Sequence, residues 1–220
     1  MPTDKLRLTA TDLTALTTCD DEYLLDKGAN LYTLGKYEQA VEYYHLATTL
    51  GNAQAMANLG YCYLYGRHIK QNLDLALAYF KVAVLKENID AAYKLGDIYE
   101  SDKWGLQDDE LSEYYYHQAV SFILGTEHEK SELLGCYHKL QQYPSLCLAL
   151  ARKKIKNGIS LTDFSEAYQL LKHAEIGYLH ELNSGHDMYL KSYERVKHLL
   201  ADQKFDLIRG KYDKLFIDEY

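Results

Sequence analysis

The chain has 220 residues, 47% of them hydrophobic, with a formal charge of −8 and two prolines. The apolar share excludes wholesale disorder, and the length suits one domain or a short array of repeats. The excess of acid weighs against nucleic acid as a partner, because affinity for a phosphate backbone is built largely from Lys and Arg.

Few prolines and no Val/Ile/Thr-rich alternating stretches point to an all-helical chain. Residues 1–20 are Thr-rich and weakly patterned, an N-terminal segment or capping helix. They lack a sustained apolar core, so no signal peptide is expected. No stretch reaches the roughly 18 apolar residues of a membrane span. The cysteines Cys19, Cys62, Cys136 and Cys147 form no C-x-x-C pair, which fits a reducing, cytoplasmic setting.

Beyond residue 20 a pattern returns every 36 residues. Ala40-x-x-Tyr43-Tyr44-x-x-Ala47 recurs as Ala76-x-x-Tyr79-Phe80-x-x-Ala83 and again as Ser112-x-x-Tyr115-Tyr116-x-x-Ala119. A fixed period of this size marks stacked supersecondary units. The small residues of each run share one helix face, with the aromatic pair beside them to fill the space around a close neighbour. Many of the 22 tyrosines fall on these positions, so packing is their first explanation. A preceding half-unit also repeats, 51–60 returning as 87–96, and it shares Leu59-Gly60 and Leu95-Gly96, with Leu134-Gly135 later. Glycine inside a helix costs about 1 kcal/mol against alanine, so close contact with the partner helix is expected there. Asp108 is a natural N-cap, with Glu110 in the first turn.

These runs resemble Sel1-like repeats, longer-looped relatives of tetratricopeptide repeats. The resemblance is carried by Ala55-x-x-x-Leu59-Gly60-x-x-Tyr63-x-x-Gly66 with Ala76, Tyr79, Phe80 and Ala83. It continues in Ala91-x-x-x-Leu95-Gly96-x-x-Tyr99 with Tyr115, Tyr116 and Ala119. The first unit, with Gly28, Gly35-Lys36-Tyr37, Ala40, Tyr44 and Ala47, is similar to a plain tetratricopeptide repeat. A weaker fourth unit has Leu134-Gly135, Cys147 at the small position, Leu150-Ala151 for the aromatic pair and Gly158 at its end. The implied fold is an all-α, right-handed α-solenoid of antiparallel helix pairs, with repeats at 21–52, 53–88, 89–126 and 127–158. Residues 159–220 read as a helical C-terminal cap. Its helices start at the Ser160 to Asp163 caps, break at Asn183-Ser184-Gly185, resume over Met188 to Ala201 and end with Phe205 to Phe216.

Chemistry is sparse. No H-E-x-x-H, phosphate loop or nucleophile signature appears. His128 lies between Glu127 and Glu129, and Thr126-x-x-Glu129 reads as a capping box. His180-Glu181 and His186-Asp187 flank the Asn183-Ser184-Gly185 turn. Two His and two carboxylates there are the one arrangement suited to a metal-dependent enzyme, although the spacing matches no known motif and a surface turn is expected. Arg152, Lys153, Lys154 and Lys156 sit at a helix C-terminus, where cations suit the dipole; their functional alternative is contact with an acidic surface. The reading is therefore of a protein that is not an enzyme and carries no cofactor or metal.

Between Asp97 and Glu132 lie ten acids opposed only by Lys103 and Lys130, which accounts for the whole formal charge and favours a basic partner. The resemblance implies that the first helix of each unit lines a concave groove. The groove positions are Tyr32, Gln54, Tyr61, Tyr65, Tyr93, Asp97, Glu100 and Glu132. Exposed aromatics are favoured anchors, and carboxylates there suit a Lys- or Arg-bearing segment. Tyr61 and Tyr93 have packing between repeats as their alternative role. Some relatives hold a peptide C-terminal carboxylate in this groove. Here Leu25, Ala57, Tyr93 and Glu132 fill the row where the necessary Lys would sit, which disfavours that mode. The expected function is a non-enzymatic protein–protein interaction scaffold for a peptide or protein partner, basic or aromatic. A structural homo-oligomer assembled through the C-terminal helices is the alternative, with an enzyme using the His180/His186 region as a third.

Overall fold

A computed structural model of the chain describes residues 7–125 and 137–210. Every regular element among the described residues is a helix, with no strand among them. The chain divides into two compact units, Met1–Phe122 and Ile123–Tyr220.

The first unit is an α-solenoid of helix pairs. Helix α1 (Ala10–Thr18) precedes α2 (Asp21–Thr33) and α3 (Tyr37–Thr49), then α4 (Ala53–Tyr65) and α5 (Leu73–Val84), then α6 (Ile89–Glu100) and α7 (Asp109–Leu124). The small residues of the repeat are what let the pairs close. Ala40, Ala47, Ala76, Ala83, Ser112 and Ala119 are all buried. The repeated glycines face the aromatic ring of the next helix. A Cβ on Gly28 would lie 2.8 Å from the Tyr44 ring, one on Gly60 2.7 Å from Phe80 and one on Gly96 2.6 Å from Tyr116. The expected close contact is thus a ring seated on a bare helix backbone. Tyr63 stacks on Tyr79 at 5.6 Å and Tyr99 on Tyr115 at 5.7 Å, the same pair one period apart.

Neighbouring pairs share helix α4. Its Ala55, Leu59 and Cys62 join the core of the first repeat, while Met56, Ala57 and Leu64 join the core of α5 and α6. Such nearest-neighbour burial is how a solenoid builds a continuous core. The N-caps reinforce it. Asn52 accepts from the Ala55 amide and donates to Asp21 in the preceding repeat; Asn88 accepts from the Ala91 amide and donates to Gln54. Asp108 caps α7 as expected, accepting from the Leu111 amide at 2.9 Å.

Helix α1 is held by one buried carboxylate. Asp12 closes a capping box with Thr9 and accepts hydrogen bonds from Lys27, Tyr23 and Tyr43. Burial alone would raise its pKa, but the bonds from Lys27, Thr9 and Tyr43 outweigh burial and hold it far below the usual carboxylate range.

The second unit has its own core. Helices α8 (Pro144–Asn157), α9 (Leu161–Asn183) and α10 (Leu190–Leu200) enclose Cys147, Ala151, Ala167, Leu171, Tyr178, Val196 and Phe205. Ser160 and Asp163 form a capping box at the start of α9, and the chain breaks after Asn183. A further helical stretch covers 206–210. Helix α8, aligned by sequence with a fourth repeat, shares its core with α9: Gly177 approaches Pro144 and the Gln141 carbonyl as the repeat glycines approach their rings. Thr126 to Glu129, His128, Leu134-Gly135, Cys136 and the last residues to Phe216 lie outside the described residues.

Candidate binding face of the repeats

Tyr32 sits in the last turn of α2, Gln54, Tyr61 and Tyr65 on α4, and Tyr93, Asp97 and Glu100 on α6. Glu132 lies outside the described residues. Contacts join most of them into one row. Tyr61 lies 6.4 Å from Tyr65, and Tyr65 lies 6.2 Å from Trp104 in the loop after α6. Arg67, just after α4, donates to the Tyr32 hydroxyl at 3.0 Å and stands 5.2 Å from the Tyr65 ring. Lys103 lies 5.6 Å from that ring on the Trp104 side. Tyr65 is 40% exposed, the most open ring of the predicted set.

Tyr61 and Tyr93 belong to the packing as well as to the surface. Tyr61 meets the Phe80 ring edge-on at 5.2 Å, and Tyr93 lies 6.2 Å from Tyr116. Both rings also flank Lys94, whose Nζ is 5.5 Å from Tyr61 and 5.2 Å from Tyr93. Gln54 is tied into the repeat junction, accepting from Asn88 at 2.9 Å and donating to Asp90 at 3.3 Å.

The two carboxylates are already engaged. Asp97 accepts from Lys94 at 2.9 Å and lies 3.2 Å from the Tyr116 hydroxyl; Glu100 lies 3.0 Å from the same hydroxyl. Burial, with both carboxylates adjacent, pushes the Tyr116 phenol far above its ordinary value, so it stays a donor. Lys94, Arg67, Lys103 and Trp104 are functional-face residues outside the predicted set. Lys94 and Arg67 were findable: each lies within a few residues of a predicted tyrosine, close enough to stack a cation on its ring.

Between the first two repeats this face opens into a cleft of about 180 Å³, lined by Tyr32, Tyr44, Asn58, Tyr61, Cys62 and Arg67. No Asp or Glu lines it. Burial pushes the Tyr44 phenol up to about 12 and the Cys62 thiol up to about 11, so both hold their protons at neutral pH.

The remaining predicted chemistry stays dispersed. His186 pairs with Glu181 at 2.7 Å, and the His180 carbonyl accepts from Ser184. Among the described residues no three His, Cys, Asp or Glu side chains gather as metal ligands would. Lys154 of the basic cluster pairs with Glu166.

The Sel1 repeat family model matches residues 23–52, 53–87 and 89–121. Residues 23–121 are three Sel1 repeats. Two solved structures are similar to the chain. A protective antigen present in uropathogenic Escherichia coli strains, displaying an SLR fold, aligns with a TM-score of 0.55 at 17% identity. That alignment covers 80% of this chain and 35% of the antigen, so the chain spans about a third of that molecule. A Sel1 repeat protein from Oxalobacter formigenes aligns with a TM-score of 0.44 at 21% identity, covering 56% of this chain and 93% of that one. No curated protein matches the chain. Sel1 repeats are in general protein-interaction scaffolds and typically non-catalytic. No helix among the described residues is long and apolar enough to cross a membrane.

Proposed function

We propose that the three Sel1 repeats form a protein–protein interaction scaffold that binds a segment of a protein partner along their first helices. The observation that carries this is the continuous row from Tyr32 through Arg67, Tyr65 and Trp104, with the cleft at its N-terminal end. Tyr, Trp and Arg are the residues that most often dominate interface energetics, and a half-open row of them offers anchors for little conformational entropy. The expectation of a basic partner rests on Asp97 and Glu100. Because both accept hydrogen bonds from within the protein, the aromatic row supports the reading more strongly than the carboxylates do. The unpaired, buried thiols of Cys62 and Cys147 suit a reducing compartment.

The test is affinity capture with matched variants. A partner retained by the wild-type chain should be lost with Tyr61→Ala plus Tyr65→Ala and kept by Leu85→Ser at the exposed C-cap of α5. If every retained protein survives the tyrosine substitutions in a folded chain, the face is not the binding surface.

A second reading has its own support. Ile159, Leu161, Met188 and Leu207 of the C-terminal unit are exposed, apolar side chains that would suit contact between copies. Light scattering after size exclusion should then give a dimer or larger species that Met188→Lys plus Leu207→Lys converts to monomer. A monomeric wild-type chain at high concentration ends that reading.

A further inference from the structure

We propose that the cleft between the first two repeats takes the carboxylate of an acidic residue in a peptide segment, held by Arg67, Tyr44 and Asn58. This rests on the reading of the first-helix face as a peptide-binding surface. Register carries it. Gly28, Gly60 and Gly96 seat Tyr44, Phe80 and Tyr116 respectively. One and four residues after those glycines stand Ala29 and Tyr32, Tyr61 and Leu64, Asp97 and Glu100. Phe80 has no hydroxyl, and the two positions beside it are aromatic and aliphatic. Tyr116 has one, and the same two positions are carboxylates within 3.2 Å and 3.0 Å of it. Tyr44 has the hydroxyl without the carboxylates. Ala29 offers no polar side-chain atom, and the Tyr32 hydroxyl oxygen accepts from Arg67. The Tyr44 residue is buried, lines the cleft and makes no hydrogen bond from its hydroxyl among the described residues.

The other polar groups of the cleft have the same bias. The Asn58 carbonyl oxygen accepts from Gln54, which leaves its amide nitrogen to donate. Arg67 uses one nitrogen on Tyr32 and pairs with no carboxylate among the described residues. The protonated Cys62 thiol adds no negative charge. In a chain of net charge −8, a cleft holding a guanidinium and spare donors with no acid is a local reversal of sign. A carboxylate entering it would do for Tyr44 what Asp97 and Glu100 do for Tyr116, and its two oxygens match the fork of Arg67. Beside the cleft, Tyr65 and Trp104 offer stacking area between Arg67 and Lys103, which suits an aromatic residue next to the acid.

Three short fluorescent peptides that differ only in a central Glu-Phe, Gln-Phe or Lys-Phe, titrated against the full chain by fluorescence anisotropy, test this. Glu-Phe should bind roughly tenfold more tightly than Gln-Phe, with Lys-Phe weakest. Arg67→Gln and Tyr44→Phe should each weaken Glu-Phe by a larger factor than Gln-Phe, narrowing the preference between the two peptides, and Arg67→Lys should restore part of it. Inorganic phosphate at the peptide's concentration should not displace Glu-Phe; displacement would show a site for a free anion and overturn the peptide assignment. Equal binding of Glu-Phe and Gln-Phe, preference for Lys-Phe, or no effect of Arg67→Gln overturns the inference. In those cases loss of all three peptides with Tyr61→Ala plus Tyr65→Ala would leave the peptide-binding reading standing. Failure of every peptide to bind the wild-type chain also overturns the inference.

Discussion

Gly60 and Gly96 shape the repeats through the atom they lack. An alanine normally gains about 1 kcal/mol over glycine inside a helix. Here the added Cβ would meet the Phe80 or Tyr116 ring at 2.7 or 2.6 Å, and overpacking of that kind costs about 1–3 kcal/mol. Gly96→Ala is therefore predicted to lose about 1 kcal/mol in urea unfolding, against its helix propensity; a gain would show that the ring seat does not explain the glycine. Ser112 gives the opposite sign. It occupies the place of Ala40 and Ala76, fully buried, with its hydroxyl unpartnered among the described residues. Ser112→Ala should stabilise the chain by about 1 kcal/mol, visible as a higher unfolding midpoint. The glycine and small positions are legible in the sequence because they recur at a fixed period. The state of Asp97 and Glu100 is harder to read. As letters they are surface acids on a helix; their engagement depends on a tyrosine 19 and 16 residues further on, in the next helix. The clue is the paired change, Phe80 with Tyr61 and Leu64 against Tyr116 with Asp97 and Glu100, and it becomes visible only when repeats are compared position by position.

At the scale of elements, α1 shows what periodicity misses. Nothing in its Thr-rich sequence repeats, yet Asp12 is fully buried and joins α1 to α2 and α3 through Lys27, Tyr23 and Tyr43. The folded carboxyl lies below its ordinary value near ~4. A depressed pKa contributes stability that is complete above the unfolded value and fades as pH falls toward the folded one. The docking of α1 should accordingly be undiminished at neutral pH and weaken progressively below about pH 4, as amide exchange in residues 10–18 would report. Asp12→Asn removes the charge and leaves Lys27 facing a neutral amide. A loss of about 3 kcal/mol at pH 7 is expected, shrinking in acid as the wild type loses the same interaction. A pH-independent difference would show that the carboxylate's charge is not what holds the helix.

Across the whole molecule, burial is divided among separate clusters. The repeats share side chains only between neighbours, and the C-terminal unit closes around Tyr168, Tyr178 and Phe205. Phe205→Ala should destabilise that unit by about 3–5 kcal/mol. Hydrogen exchange should quicken across 144–210 and remain unchanged in α4 and α5; uniform acceleration along the chain would mean that the clusters unfold as one. The sequence reads well where a repeat answers to a repeat. It reads less well at α8, where Cys147 keeps the small position but packs against the 23-residue helix α9. There Leu150-Ala151 stands in place of the aromatic pair.

The N-cap asparagines have a directional consequence. Asn52 and Asn88 each begin their own helix while donating backwards, to Asp21 and Gln54. Each cap therefore finds its second partner in chain already made. On a ribosome, where the N-terminal part emerges first, every new repeat would start against a finished template, so ordering should advance from the N-terminus rather than wait for the full chain.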